Sequence, residues 1–174
     1  MRASPIHGLD HIGITVPDID AATAFFESAF DAEFIYDSLP GSSPPQEGDE
    51  TETTLNLPKG AKVNKVRMIR LRNGPGIELF EMSGAEQREA VRPSDYGLQH
   101  FAVYVDDMAA ATAQFEKAGG VLCSPPQKLI FDAEAGEGNL FCYGKTPWGA
   151  MIELVTYPSP MPYEATTPLR RWRL

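Results

Sequence analysis

The sequence predicts an α+β protein built from two tandem βαβββ modules. The text LDHIGITVPDIDAATAFFE at 9–27 returns as LQHFAVYVDDMAAATAQFE at 98–116, and the two align without a gap. Each half then ends in a similar phrase, GIELFEM at 76–82 and MIELVTY at 151–157. A repeat of this length indicates one supersecondary unit used twice.

Each repeat begins with a strand that leads into a helix. Apolar side chains alternate with His11 and Gly13 in the first copy, which is typical of a strand with two different faces. Asp18 and Asp107 are placed to cap the helices that follow. Gly119-Gly120 is expected to end the second helix.

The remaining strands complete each module. They are predicted near 33–37, 65–71 and 76–82 in the first half, and near 121–124, 140–144 and 150–157 in the second. Residues 39–53 are expected to form an exposed loop, and residues 132–139 a second, flexible one. The modules are placed at 8–83 and 97–158, with a C-terminal tail at 159–174.

Bulk properties exclude several classes of protein. The net charge of −9 disfavours nucleic acid as a partner. No apolar run approaches the roughly 20 residues that span a bilayer, and the first residues lack the apolar core of a signal peptide. The two cysteines form no disulfide framework. We therefore expect a cytoplasmic protein that acts on a small molecule.

Each half offers one histidine and one glutamate in equivalent places. His11 and His100 open the first strands, and Glu78 and Glu153 lie in the last strands. A carboxylate in an apolar strand is costly to bury unless it is paired or binds a metal. We predict that these four residues bind one divalent ion. Nitrogen and carboxylate ligands without thiolate suit Zn, Ni, Co, Mn or Fe(II).

Single residues of these types more often have a structural role. A lone histidine at a strand start, or a lone glutamate in a strand, would not predict a metal site, and only the duplication does. His7 has no counterpart and is interpreted as a solvated terminal residue. Glu81 has Thr156 at the equivalent place and is interpreted as surface. The basic residues between 59 and 72 predict a solvated strand face, with binding of an anionic substrate tail as the alternative.

The quoted segments, together with TPWGAMIELVTYP at 146–158, resemble the vicinal oxygen chelate superfamily. Its members include glyoxalase I, methylmalonyl-CoA epimerase, extradiol dioxygenases and bleomycin-resistance proteins. The resemblance implies that the modules form a cupped mixed sheet around a metal-binding cavity, the glyoxalase fold. It carries metal ligation over to His11, Glu78, His100 and Glu153, the same residues that the repeat predicts.

The four filled positions separate the branches of this superfamily. Drug-binding members generally lack the ligand set, so a metal-free binding protein is an alternative that the sequence disfavours. The triad of His11, His100 and Glu153 resembles that of extradiol dioxygenases, but Glu78 would fill a further metal position. An Fe(II) dioxygenase of the extradiol type is therefore the runner-up. The glyoxalase I and epimerase branch, with four protein ligands, resembles the chain best.

The resemblance implies a lyase or isomerase that moves a proton next to a metal-bound carbonyl. The substrate would chelate the metal through adjacent oxygens, and Glu78 or Glu153 would act as the base. Four residues are predicted to share the cavity face and shape a substrate pocket: Phe80, Tyr104, Val155 and Tyr157. The resemblance also implies a homodimer. The substrate, any thiol cofactor, and whether one chain or two build the cavity stay open.

Overall fold

The computed structural model describes residues 8–171. The strands are β1 His11–Val16, β2 Glu33–Leu39, β3 Lys62–Arg70, β4 Gly76–Ser83, β5 Phe101–Tyr104, β6 Val121–Leu122, β7 Gln127–Lys128, β8 Leu140–Lys145 and β9 Met151–Thr156. The α-helices are α1 Ile19–Phe30, α2 Asp49–Leu55 and α3 Met108–Lys117, and Pro162–Ala165 forms a short 3-10 helix. His7 and the last three residues of the predicted tail lie outside the described residues. Among residues 8–171, no helix has the length and apolar character needed to span a membrane.

The strands form two mixed sheets, each in its own compact unit. Among the described residues, the first unit contains 8–27 and 31–88, and the second contains 28–30 and 89–171. In the first sheet, ordered β1-β4-β3-β2, β1 runs parallel to β4 and the other pairs are antiparallel. The second sheet repeats this plan as β5-β9-β8-β6, with β7 also paired to β8. The predicted α+β class is confirmed.

Helix α1 begins and ends at residues suited to those positions. The Asp18 carboxylate accepts hydrogen bonds from the backbone N–H groups of Asp20 and Ala21, both at 2.9 Å. Such a cap satisfies donors that the first turn leaves free. Asp31 closes the helix in the left-handed conformation, at φ 52°. The predicted cap at Asp18 is confirmed.

One face of the first sheet lies against α1. The Arg67 guanidinium donates to Thr23 Oγ1 at 3.0 Å, and the backbone N–H of Ile19 donates to Glu81 Oε2 at 2.9 Å. Ile77 and Leu79, which share this face, are buried. The interpretation of Glu81 as a surface residue is therefore wrong. Its carboxylate is held at the helix start, where free N–H groups attract negative charge.

Helix α3 of the second unit is anchored by one aromatic ring. Asp107 accepts a hydrogen bond from the Ala110 N–H at 3.0 Å, which confirms its predicted role as cap. Phe115 is completely buried. A Cβ added at Gly120 or Gly144 would lie 2.2 or 2.5 Å from this ring, so both glycines are needed to seat it. The helix ends at Lys117 with Ala118 as its C-cap, and Gly119 follows at φ 101°, so the predicted glycine signal lies directly after the helix end.

The segment predicted as an exposed loop at 39–53 is only partly irregular. Helix α2 occupies Asp49–Leu55 and buries no residue. Acidic residues fill its first turn, where the positive end of the helix dipole stabilises their charge. Asn56 ends the helix in the left-handed conformation. The segment is mostly exposed, as predicted, but the prediction of a loop is wrong at the helix.

The second predicted loop, 132–139, is irregular but anchored. Asn139 is completely buried. Its side chain donates to the carbonyl of Glu134 at 3.0 Å and accepts from the backbone N–H of Ser159 at 3.1 Å. Its carbonyl accepts from Leu129 N–H at 3.0 Å, which ties the end of the segment to the chain just before it.

The basic residues of β3 and its flanks are paired with carboxylates. The pairs are Lys62 with Glu47, Lys65 with Asp20 and Glu81, Arg67 with Asp20 and Asp37, Arg70 with Glu33, and Arg72 with Asp31. These charges are neutralised within the unit. The pairing supports a structural face and disfavours the alternative of an anion-binding stretch.

Candidate functional site

His11 and Glu78 meet on the face of the first sheet opposite to α1. Gly13 lies beside Glu78 in the parallel pairing of β1 with β4, and His11 lies beside Gly76. Because neither glycine carries a side chain, the imidazole and the carboxylate can approach each other diagonally. His11 Nε2 lies 3.4 Å from Glu78 Oε2. The first unit therefore brings together the histidine and glutamate that the sequence predicts.

The second unit repeats this arrangement. Ala102 lies beside Glu153 in the pairing of β5 with β9, the place that Gly13 takes in the first unit. His100 Nε2 lies 3.2 Å from Glu153 Oε2. This pair is more enclosed, with the side chains 24% and 13% exposed against 39% and 22% for His11 and Glu78.

The second ring nitrogen of each imidazole, Nδ1, also faces an oxygen. His11 Nδ1 lies 2.7 Å from Asp10 Oδ2, and His100 Nδ1 lies 2.9 Å from Gln99 Oε1. Gln99 is held in turn by a 2.7 Å hydrogen bond from its Nε2 to the carbonyl of Pro93. With its amide donor used there, Gln99 presents its oxygen to the histidine, which makes His100 Nδ1 the donor.

Both nitrogens of each histidine thus face hydrogen-bond acceptors. A neutral imidazole that donates through Nδ1 turns the lone pair of Nε2 toward the glutamate. The Nε2 lone pair and the carboxylate oxygen then repel each other unless a cation lies between them. A proton meets this need in part: the hydrogen bond to Asp10 raises the pKa of His11, and the Glu78 charge acts in the same direction. A divalent metal meets it as well, because metal-binding histidines usually donate their other N–H to an oxygen.

The two pairs fit a metal ion in their donor atoms. Each supplies one imidazole nitrogen and one carboxylate oxygen, the donors that first-row divalent ions accept. Within residues 8–171, no group of three or more His, Cys, Asp or Glu side chains lies close enough to hold a metal. Binding of one ion by all four residues therefore stays a prediction.

Tyr143 belongs to the second pair, although the sequence did not indicate it. It lies beside Glu153 in the pairing of β8 with β9, and its ring centre is 5.0 Å from that of His100. Burial raises the pKa of Tyr143, and the Glu153 charge adds to this effect. The corresponding neighbour of Glu78 is Met68, so the two units differ at this place.

The predicted pocket residues lie further along the same sheet faces. Val155 and Tyr157 are buried in an apolar cluster of the second unit, against which Tyr104 also packs. The rings of Tyr104 and Tyr157 lie 4.7 Å apart. Phe80 packs against a separate cluster in the first unit. Their contact with a substrate stays a prediction.

The end of the described chain closes the cluster of the second unit. The Arg171 guanidinium lies 5.1 Å above the Tyr157 ring and pairs with Glu134 at 3.0 Å. Its backbone N–H donates to the Tyr163 hydroxyl at 2.9 Å. The tail residues up to this point therefore pack on their own unit.

Comparison with known proteins identifies the family. A family model described as the Glyoxalase/Bleomycin resistance protein/Dioxygenase superfamily matches residues 10–143. The chain belongs to this superfamily, which confirms the predicted relationship. A curated relative from Actinomyces sp., named 2-epi-5-epi-valiolone epimerase, is 32% identical over 164 residues, which cover 94% of this chain and 86% of the relative.

Solved structures share the fold at low sequence identity. A glyoxalase family protein from Bacillus cereus is 20% identical with a TM-score of 0.65, and the match covers 90% of this chain and 97% of that one. A variant of the fosfomycin resistance protein of Listeria monocytogenes is 18% identical with a TM-score of 0.57, covering 93% and 99%. That protein was solved with Mn(II) and 1S,2S-dihydroxypropylphosphonic acid, so a divalent metal occurs in the family.

Proposed function

We propose that the protein is a metal-dependent epimerase that inverts a carbon next to a ketone in a small hydroxylated substrate. The observation that carries this proposal is the duplicated pair, His11 with Glu78 and His100 with Glu153. The relative named 2-epi-5-epi-valiolone epimerase supports inversion rather than another reaction of the family. A hydroxyl beside the ketone would supply the adjacent oxygens that the superfamily resemblance implies.

His11, Glu78, His100 and Glu153 would hold the metal. A divalent ion there supplies a Lewis acid that lowers the pKa of the C–H group beside the carbonyl. The two histidines would bind the ion through Nε2, while neighbouring oxygens hold their Nδ1 atoms.

The two glutamates would move the proton. Inversion requires that a proton leave one face of the carbon and return to the other, which two carboxylates from equivalent positions can do in turn. We propose that Glu78 and Glu153 share this work, one as base and the other as acid, with their roles exchanged in the reverse direction.

The test combines metal analysis with an assay on one ketone. The purified protein is expected to hold about one divalent ion per chain and, when loaded, to epimerise 2-epi-5-epi-valiolone. If metal is present but this activity is not, the proposed substrate is rejected and the proposed metal site stands. Oxygen consumption by the iron-loaded protein with a catechol would favour the dioxygenase. Absence of both metal and activity would indicate a binding protein on this fold.

We also propose that the chain forms a homodimer, as the resemblance implies, and that it acts in the cytoplasm, as expected from its bulk sequence properties. Light scattering at micromolar concentration tests the assembly, and a monomeric mass would contradict it.

A further inference from the structure

The residue that precedes each metal-site histidine occupies the same place in the repeat and contacts the same ring atom. Asp10 contacts Nδ1 of His11, and Gln99 contacts Nδ1 of His100. The contact is thus duplicated along with the histidines and glutamates, but its charge is not: one partner is a carboxylate and the other a neutral amide.

The two partners are also held differently. The Asp10 side chain is 91% exposed, and among the described residues His11 is the side chain that it contacts. Gln99 is fixed by its hydrogen bond to the Pro93 carbonyl, so its oxygen is already oriented toward His100. Loss of the Asp10 side chain should therefore cost little folding stability, since substitutions at exposed positions usually change it little.

We infer that Asp10 and Gln99 are positioning residues for the metal site, and that their different charges make His11 the stronger of the two imidazole ligands. This inference rests on the proposed metal site. It adds two residues to that site and a difference in ligand strength between His11 and His100.

This difference follows from the strength of the two hydrogen bonds. A hydrogen bond to an ionised acceptor is shorter and roughly twice as strong as one between neutral groups. The distances agree, with 2.7 Å for His11 and 2.9 Å for His100. A carboxylate on Nδ1 pushes more electron density toward Nε2, which makes that nitrogen a better donor to a cation.

Zinc affinity of the complete chain, measured by calorimetry, tests the inference. Asp10→Ala is expected to weaken binding about 10- to 100-fold, the usual range for an outer partner of a metal ligand. Asp10→Asn keeps an oxygen acceptor without the charge and should lose less. Gln99→Ala should lose less than Asp10→Ala. Asp132→Ala removes an equal charge at an exposed position and serves as the control. Equal affinities of Asp10→Ala and the control, or a larger loss in Gln99→Ala, would overturn the inference.

A second readout does not depend on metal. The chain has three histidines, so their ring nitrogens can be assigned by nuclear magnetic resonance with single His→Gln variants. In the metal-free protein, at a pH where His11 is neutral, its proton is expected on Nδ1, because Asp10 lies closer than Glu78. Asp10→Ala should move that proton toward Nε2. If the wild-type protein binds no zinc, the proposed function fails, while this measurement still decides the positioning role: a proton on Nε2 in the wild type refutes it.

Discussion

Gly76 lies beside His11 across the parallel strands β1 and β4, at a position where a side chain would have no space next to the histidine. A Cβ at this position would lie 2.9 Å from the sulfur of Met68 and 3.3 Å from Cβ of His11. The sulfur lies near the end of a flexible side chain and can move, but His11 Cβ is fixed to the strand. A side chain at Gly76 would therefore press on His11 in the first unit, whereas Met151 takes the equivalent place in the second.

We predict that Gly76→Ala weakens metal binding roughly tenfold by displacing His11, and destabilises the fold by about 1 kcal/mol through overpacking. Gly13→Ala on the same face is the matched control. Its Cβ would meet Phe80 at 3.7 Å, an ordinary contact, and the equivalent position already carries Ala102. Zinc titration and urea unfolding of both variants measure the effects. Equal behaviour of the two alanines would show that His11 does not depend on Gly76.

Arg67 is predicted to contribute more stability than Arg70, the other arginine of β3. Its guanidinium donates to Asp37 at 2.7 Å, to Asp20 at 2.9 Å and to Thr23 at 3.0 Å, and its side chain is 16% exposed. Arg67→Met removes the bonds to all three partners and leaves the half-buried Asp37 without its cation. We expect a loss of about 2–3 kcal/mol in the free energy of unfolding.

The control for Arg67 is Arg70→Met in the same strand. Arg70 pairs with Glu33 at the surface, and such pairs contribute at most about 1 kcal/mol. Urea denaturation of both variants provides the comparison. A loss in Arg70→Met as large as that in Arg67→Met would contradict the assignment.

Asp20 is predicted to make stability depend on pH in the acid range. The hydrogen bond from Arg67 lowers the pKa of this carboxyl, and the Lys65 charge acts in the same direction. A lowered pKa in the folded state stabilises the protein above the ordinary value of about 4, and the contribution is lost as the pH falls through the lowered pKa. Asp20→Asn should therefore lose less stability than the wild type between about pH 5 and pH 3. Urea unfolding across that range tests this, and parallel curves for the two proteins would refute it.

Local signals in the sequence were sufficient to predict most of the fold. The caps at Asp18 and Asp107 and the alternation in β1 act within a few residues, so they can be read without a structure. Helix α2 was missed because Asp49–Leu55 carries no apolar periodicity and buries nothing. Glu81 was misinterpreted because its partner, the backbone of Ile19, is distant in sequence.

The candidate site was predictable only where duplication marked it. The repeat singled out the histidines and glutamates, and each unit brings its own pair together. Tyr143 was missed because its place beside Glu153 depends on the register between β8 and β9, which the repeat does not specify. Asp10 and Gln99 were missed because neighbours in a regular strand point to opposite faces. They contact the histidines because both precede the first residues of β1 and β5.

The last prediction concerns how Glu78 and Glu153 divide the proposed proton transfer. In deuterated solvent, the wild-type protein should place deuterium at the inverted carbon of both epimers. If each carboxylate serves one face of the carbon, removal of one leaves the other able to exchange a proton on its own side. Glu78→Gln and Glu153→Gln, both saturated with metal, should therefore lose inversion by at least about 100-fold. Each should still exchange the proton of one epimer, and the two variants should act on opposite epimers.

Proton exchange and inversion are followed together by nuclear magnetic resonance of 2-epi-5-epi-valiolone and its epimer. Glu86→Gln is the control, because it makes the same chemical change at an exposed position outside the strands. Loss of exchange with both epimers in only one variant would show that a single glutamate moves the proton and the other only binds metal. Full inversion in either variant would exclude that glutamate from the reaction. The exchange pattern thus distinguishes a reaction with two bases from a reaction with one. The duplicated geometry of the two pairs leads us to expect two.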